Sequence, residues 1–189
     1  NDRFVDPSIA GATYAGGEKH GVPFRLHGMN MFYRKDLFEK AGIDSEPTTY
    51  EELIAANDKL VAAGIVPLAL GGQTQWHAMR LLDVLTEYTC GAETHDALLA
   101  LEKSWTDEPC ATEAWAEFAR WTRGGYTHKD LLGIDNNGAF LSWLAGDGAM
   151  MLEGDWMVNM LVVNGVDLDN VGMFPFPTGT HRAFSFHVN

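Results

Sequence analysis

The sequence is short of positive charge, of cysteine and of long apolar runs. Thirteen Lys and Arg stand against twenty-six Asp and Glu in 189 residues, a formal net charge of −13. So acidic a surface repels phosphate, which argues against nucleic acid as a partner. No block of five or more like charges occurs, so the acidity is spread out and reads as a solubilising shell. Nowhere are there the roughly 18 to 20 consecutive apolar residues that a membrane-spanning helix needs. The apolar stretch Ala139–Asp155 is broken by Gly and Asp. No basic amino-terminal stretch leads into an apolar run, so no export signal is legible. Asn1 is not a natural start, and the chain reads as processed or cut from something longer.

Several chemistries are excluded in the same way. None of the seven histidines belongs to a His-Glu-x-x-His pattern or another metal-ligand spacing, so no metal is expected. There is no Gly-x-Ser-x-Gly elbow and no phosphate-cradling loop ending in Lys-Ser/Thr. No cofactor is expected. The two cysteines, Cys90 and Cys110, are too few for a disulfide scaffold. In an oxidising compartment they could form one bridge, for which loop entropy implies about 3 kcal/mol. Whether their side chains meet is not set by the sequence.

What is present is a globular composition, 46% apolar. Val22–Arg34 alternates and is rich in β-formers, predicting a strand, and Lys35–Ala41 a short helix stopped by Gly42. Thr49–Ala63 is the clearest helix. Thr48 or Thr49 can cap it, with Glu51 or Glu52 as reciprocal partner, and Leu53, Ala56, Leu60 and Val61 follow helical spacing. Val66–Leu70 reads as a buried strand broken by Gly71-Gly72. Helices are expected over Trp76–Tyr88, His95–Lys103 and Thr112–Arg123, a turn at Asn136-Asn137-Gly138, and a helix over Ala139–Ala145. A strand over Ala149–Leu152 precedes a helix opened by Gly154-Asp155-Trp156, and Val171–Phe174 is a last strand. Strands interleaved with more helices predict an α/β layered domain.

Four segments occur in a particular order. They are Gly21-Val22-Pro23 with Phe32-Tyr33-Arg34-Lys35-Asp36-Leu37-Phe38-Glu39-Lys40-Ala41-Gly42-Ile43; Pro47–Leu53 running to Leu70-Gly71-Gly72; Gly146–Met151 with Gly154-Asp155-Trp156; and Phe174–Pro177. Over Gly21 to Pro177 this set resembles the family-1 extracellular solute-binding proteins of bacterial ABC sugar importers. Where that family commonly reads Tyr-Asn-Lys-Asp-Leu-Phe, Arg34 replaces the Asn. The resemblance implies one helix-rich α/β lobe of a two-lobed, clamshell periplasmic-binding-protein fold. Residues 1–27 would be a hinge-proximal crossover, 28–177 the second, ligand-binding lobe, and 178–189 a return toward the hinge. The first lobe and the carboxy-terminal helices would lie outside this chain. Further implications are a sugar as ligand, an importer permease as partner, and a periplasmic or extracellular location, lipid-anchored in a Gram-positive source.

A sugar ring offers hydroxyl edges and an apolar C–H face, so its site needs a few fixed polar groups and a flat aromatic ring. The resemblance places Trp156 in the cleft as a stacking platform; the alternative is a core Trp. Asp155 either accepts from sugar hydroxyls or caps the following helix. Trp76 and His77 follow a loop at the carboxyl end of a strand, where α/β sheets bind ligands. His27, near the cleft border, is either a sugar ligand or a structural histidine. Asn30 and Asn189 complete the candidates. Trp105, Trp115, Trp121 and Trp143 read as core or lobe-packing residues. Two rival functions remain: an interaction module that has lost its ligand, and a glycoside hydrolase using Glu153 and Asp155. The second fares poorly, because adjacent carboxylates rarely flank one bond at the required 5 to 9 Å.

Overall fold

The computed structural model describes residues 17–18, 21–22, 25–180 and 184–187. Asn189 therefore lies outside the described residues, as do much of the proposed crossover and return segments. The elements in order are β1 (Arg25–Arg34), α1 (Lys35–Lys40), α2 (Tyr50–Ala62), β2 (Val66–Leu68), α3 (Trp76–Leu99), α4 (Pro109–Arg123), α5 (Asn136–Ala145), β3 (Gly148–Gly154), α6 (Trp156–Val163), β4 (Val171–Phe174) and β5 (Phe184–His187). This is a helix-rich α/β fold around one mixed sheet.

The sheet order is β2-β3-β1-β4, with β5 pairing the first part of β1. β1 runs antiparallel to β3, with Met31 opposite Leu152, and antiparallel to β4, with Met31 opposite Phe174. β2 and β3 are parallel, so their carboxyl ends reach the same edge of the sheet, where antiparallel β1 begins. All seven residues of β3 are buried, as expected for a strand covered on both faces.

Alternation along the strands feeds two cores. Met31, Tyr33, Met150 and Leu152 join Leu53, Leu60, Leu81, Leu85 and Trp121 from α2, α3 and α4. Phe32 and Met151 join Phe140, Trp143, Met157 and Leu161 from α5 and α6. Fully burying one such aliphatic or aromatic side chain contributes about 1.5–3 kcal/mol. The predicted cap on α2 is present: Thr49 Oγ1 accepts from the Glu52 N–H at 3.2 Å and Glu52 Oε2 accepts from the Thr49 N–H at 3.3 Å.

Two sequence expectations need correction, and the open question of the cysteines is settled. The helices expected over Trp76–Tyr88 and near His95–Lys103 both lie within Trp76–Leu99, parted by a kink at the non-helical Gly91 (φ 72°, ψ 166°). Cys90 and Cys110 are bridged, tying this kink to the first turn of α4. Asn136-Asn137-Gly138 is not a turn but the first turn of α5, because Asp135 caps it by accepting from the Gly138 N–H at 2.6 Å. Trp115 and Trp105 are not core: they are 56% and 39% exposed, whereas Trp121 and Trp143 are fully buried.

Candidate functional site

The site forms where β2 and β3 end and β1 begins. β3 delivers Glu153, Gly154 and Asp155 there, and Trp156 opens α6. The loop after β2 delivers Trp76 and His77 at the start of α3. β1 brings His27, and Asn30 sits opposite Glu153 in the ladder. The Asp155 N–H donates to the Gly28 carbonyl at 3.0 Å, closing the junction.

Glu153 is the hub, and sequence reasoning weighed it only as a hydrolytic acid. Its carboxylate is buried, accepting from Trp156 Nε1–H at 2.8 Å through Oε2 and sharing a hydrogen bond with His77 Nε2 at 2.8 Å through Oε1. His77 Nδ1 accepts from the Gly71 N–H at 3.2 Å. That bond leaves Nδ1 unprotonated, so the ring proton sits on Nε2 and is donated to Glu153. His77 is 2% exposed with both nitrogens engaged. It therefore braces Glu153, which in turn fixes the indole. A carboxylate placed after the apolar run Ala149–Leu152 was the sequence signal for such a role, since a buried charge must be hydrogen-bonded.

Gly154 allows the arrangement. A Cβ at this position would fall inside the Trp156 ring, so only glycine lets the indole lie across the strand end. Trp76 and Trp156 meet at 5.7 Å between ring centroids, tilted by 56°. His27 meets Trp156 edge-on at 5.0 Å, and its Nδ1 lies 2.5 Å from Asp155 Oδ1. Asp155 makes no side-chain cap bond to α6. Its carboxylate, half exposed, is instead oriented by His27. Trp76 and Trp156 are both partly buried, packed on the larger core by part of their surface.

The structure thus brings together Trp76, Trp156, His27, Asp155, His77 and Asn30. It adds Glu153 and Gly154. The result is two large rings with an oriented carboxylate at the rim. Glu153 and Asp155 are each committed to a histidine partner. Among the described residues no group of three or more His, Cys, Asp or Glu is placed to hold a metal ion.

Comparison with known proteins gives a consistent picture. The family described as bacterial extracellular solute-binding protein matches residues 1–184. An uncharacterised ABC transporter extracellular-binding protein of Pyrococcus horikoshii is 28% identical over 165 residues, covering 86% of this chain and 37% of that protein. A probable sugar-binding periplasmic protein of Mesorhizobium japonicum is 27% identical over 157 residues, covering 82% and 37%. Among solved structures, a chitin oligosaccharide binding protein superposes with a TM-score of 0.80 at 28% identity, covering 89% of this chain and 42% of that one. A bacterial solute receptor described with an exclusive preference for β-D-galactopyranose gives 0.76 at 25% identity, covering 92% and 43%. The chain spans well under half the length of these relatives.

Proposed function

Because this chain belongs to the bacterial extracellular solute-binding proteins, we propose that the two-tryptophan floor at the end of β3 is one wall of a sugar site. The observation that carries the reading is the Trp76–Trp156 pair, with the Trp156 indole pinned by Glu153. A pinned, partly buried indole presents a rigid apolar face at little entropic cost, which suits the C–H face of a pyranose. Asp155 supplies a charged acceptor for hydroxyl protons beside it, the stronger kind of hydrogen bond. A neutral sugar suits this chain better than an anionic one, given its formal net charge of −13.

The parent polypeptide would close a second lobe over this wall and present the closed form to an ABC importer permease, outside the cytoplasmic membrane. A lipid anchor would hold it there in a Gram-positive source. Sugar-binding and periplasmic relatives support this reading. No covalent step is required of the site residues.

The test is a fluorescence titration of the chain with neutral mono- and disaccharides. A saturable change in tryptophan emission with at least one of them is expected. No saturable response across the panel, with the protein folded, would overturn the sugar reading.

A further inference from the structure

Beside the two-tryptophan floor lies a groove of about 600 Å³, within the size range of small-molecule sites. Its walls are Trp76, Met79 and Leu82 from the start of α3, Trp115 and Phe118 from α4, and Leu132 from the short turn before α5. Trp76 belongs to both places: it lines the groove, and its ring lies 5.7 Å from that of Trp156. Trp76 is therefore the one side chain that the groove shares with the proposed sugar wall.

Its chemistry differs from that of the wall. No lining side chain is charged, and only Thr74 and Gln75 are polar. The Thr74 hydroxyl already donates to Asn136 Oδ1 at 2.6 Å. Met79, Trp115 and Leu132 are 49%, 56% and 77% exposed, and Trp115 meets Phe118 edge to face at 6.0 Å. A groove lined in this way offers an apolar group contact without unpaired polar partners. A further pyranose would bring hydroxyls with few partners here, each costly to desolvate. An aryl or alkyl group brings none.

We propose that the site takes a glycoside, its sugar ring on the Trp76–Trp156 floor and its uncharged, apolar aglycone in the groove against Trp115. The inference rests on the sugar reading above and deepens it by naming the ligand class.

The test is calorimetric titration of the full chain with matched methyl and phenyl β-glycosides of glucose, galactose, xylose and N-acetylglucosamine. For the sugar that binds, the phenyl glycoside should bind tenfold or more tightly than the methyl one, since a phenyl ring adds ample apolar area to bury. Trp115→Ala and Met79→Ala, both at exposed positions, should each reduce that gain and leave methyl glycoside affinity within about twofold, which is near the precision of such a comparison. Equal affinity of the two series, or a gain that survives both substitutions, would overturn the proposal while leaving sugar binding intact. A wild-type dimer by light scattering that Trp115→Ala dissociates would assign the groove to a second copy and overturn it likewise. If neither series binds, the sugar reading fails and this inference with it.

Discussion

An indole stays fixed without full burial when its N–H has a committed acceptor, and Glu153 gives Trp156 that acceptor. Glu153 faces three donors, Trp156 Nε1–H, His77 Nε2–H and the Gly154 N–H, and His77 cannot reverse its tautomer without losing the Gly71 bond. Glu153→Gln would turn an amide N–H₂ toward one of them. A buried polar group left unmatched costs about 1–3 kcal/mol. Urea unfolding of the variant should show that loss, and sugar affinity should fall with it; wild-type stability would refute the hub. His95 gives a second residue-scale expectation. Burial alone would push its pKa down, but Asp83 at 3.0 Å and Glu87 at 3.4 Å outweigh that and raise it to about 9. Arg80 also contacts Asp83, and Glu87 also bonds Thr180. A raised folded-state pKa means that the stabilisation is complete below the unfolded value, about 6.5, and is lost as pH rises through about 9. Unfolding free energy should fall between pH 6 and pH 10, by up to about 3 kcal/mol from this group. His95→Gln should flatten that slope; an unchanged slope would remove His95 as its source.

At the scale of elements, legibility followed the strength of local signals. The α2 helix was readable because a capping box and a helical stripe agree on it. The two helical stretches of α3 are legible separately, and non-helical Gly91 parts them. The ties across that break are not local: His95 reaches back to Asp83, and Cys90 is bridged to Cys110. Asn136-Asn137-Gly138 carries turn chemistry, but the Asp135 cap turns it into a helix start. The exposure of Trp115 was not legible, because periodicity leaves it at the edge of the buried stripe. Ala111, Ala114 and Trp121 are the buried positions of α4; Trp115 lies about 40° from Ala111 and about 100° from Ala114 around the helix. The bridge closes a loop with a sequence separation of 20, for which loop entropy implies about 3 kcal/mol. Reduction should lower the melting temperature and loosen the Gly91 kink first, visible as faster amide exchange in 91–110. Equal stability of reduced and oxidised protein would show that packing alone holds the kink.

For the whole molecule, family and fold were legible because the four segments occur in one order along the chain, over the end of β1 with α1, α2 with β2, β3, and the end of β4. The candidate site was legible as residue types, Trp156, Trp76, His27 and Asp155. Its internal wiring was not, because Glu153, His77 and Gly71 meet only across the sheet. Two cores on opposite faces of one sheet brace this edge, so the floor is preorganised before any ligand arrives. Calorimetry of sugar binding to wild type, Trp156→Ala and Trp121→Ala tests the floor most directly, with melting temperatures measured alongside. Trp156→Ala should weaken binding by roughly 1 to 3 kcal/mol, as for an aromatic anchor, and keep most of the stability. Trp121→Ala, fully buried and donating to the Tyr50 hydroxyl, should cost about 3–5 kcal/mol of stability. Normal sugar binding by folded Trp156→Ala would contradict the sugar wall.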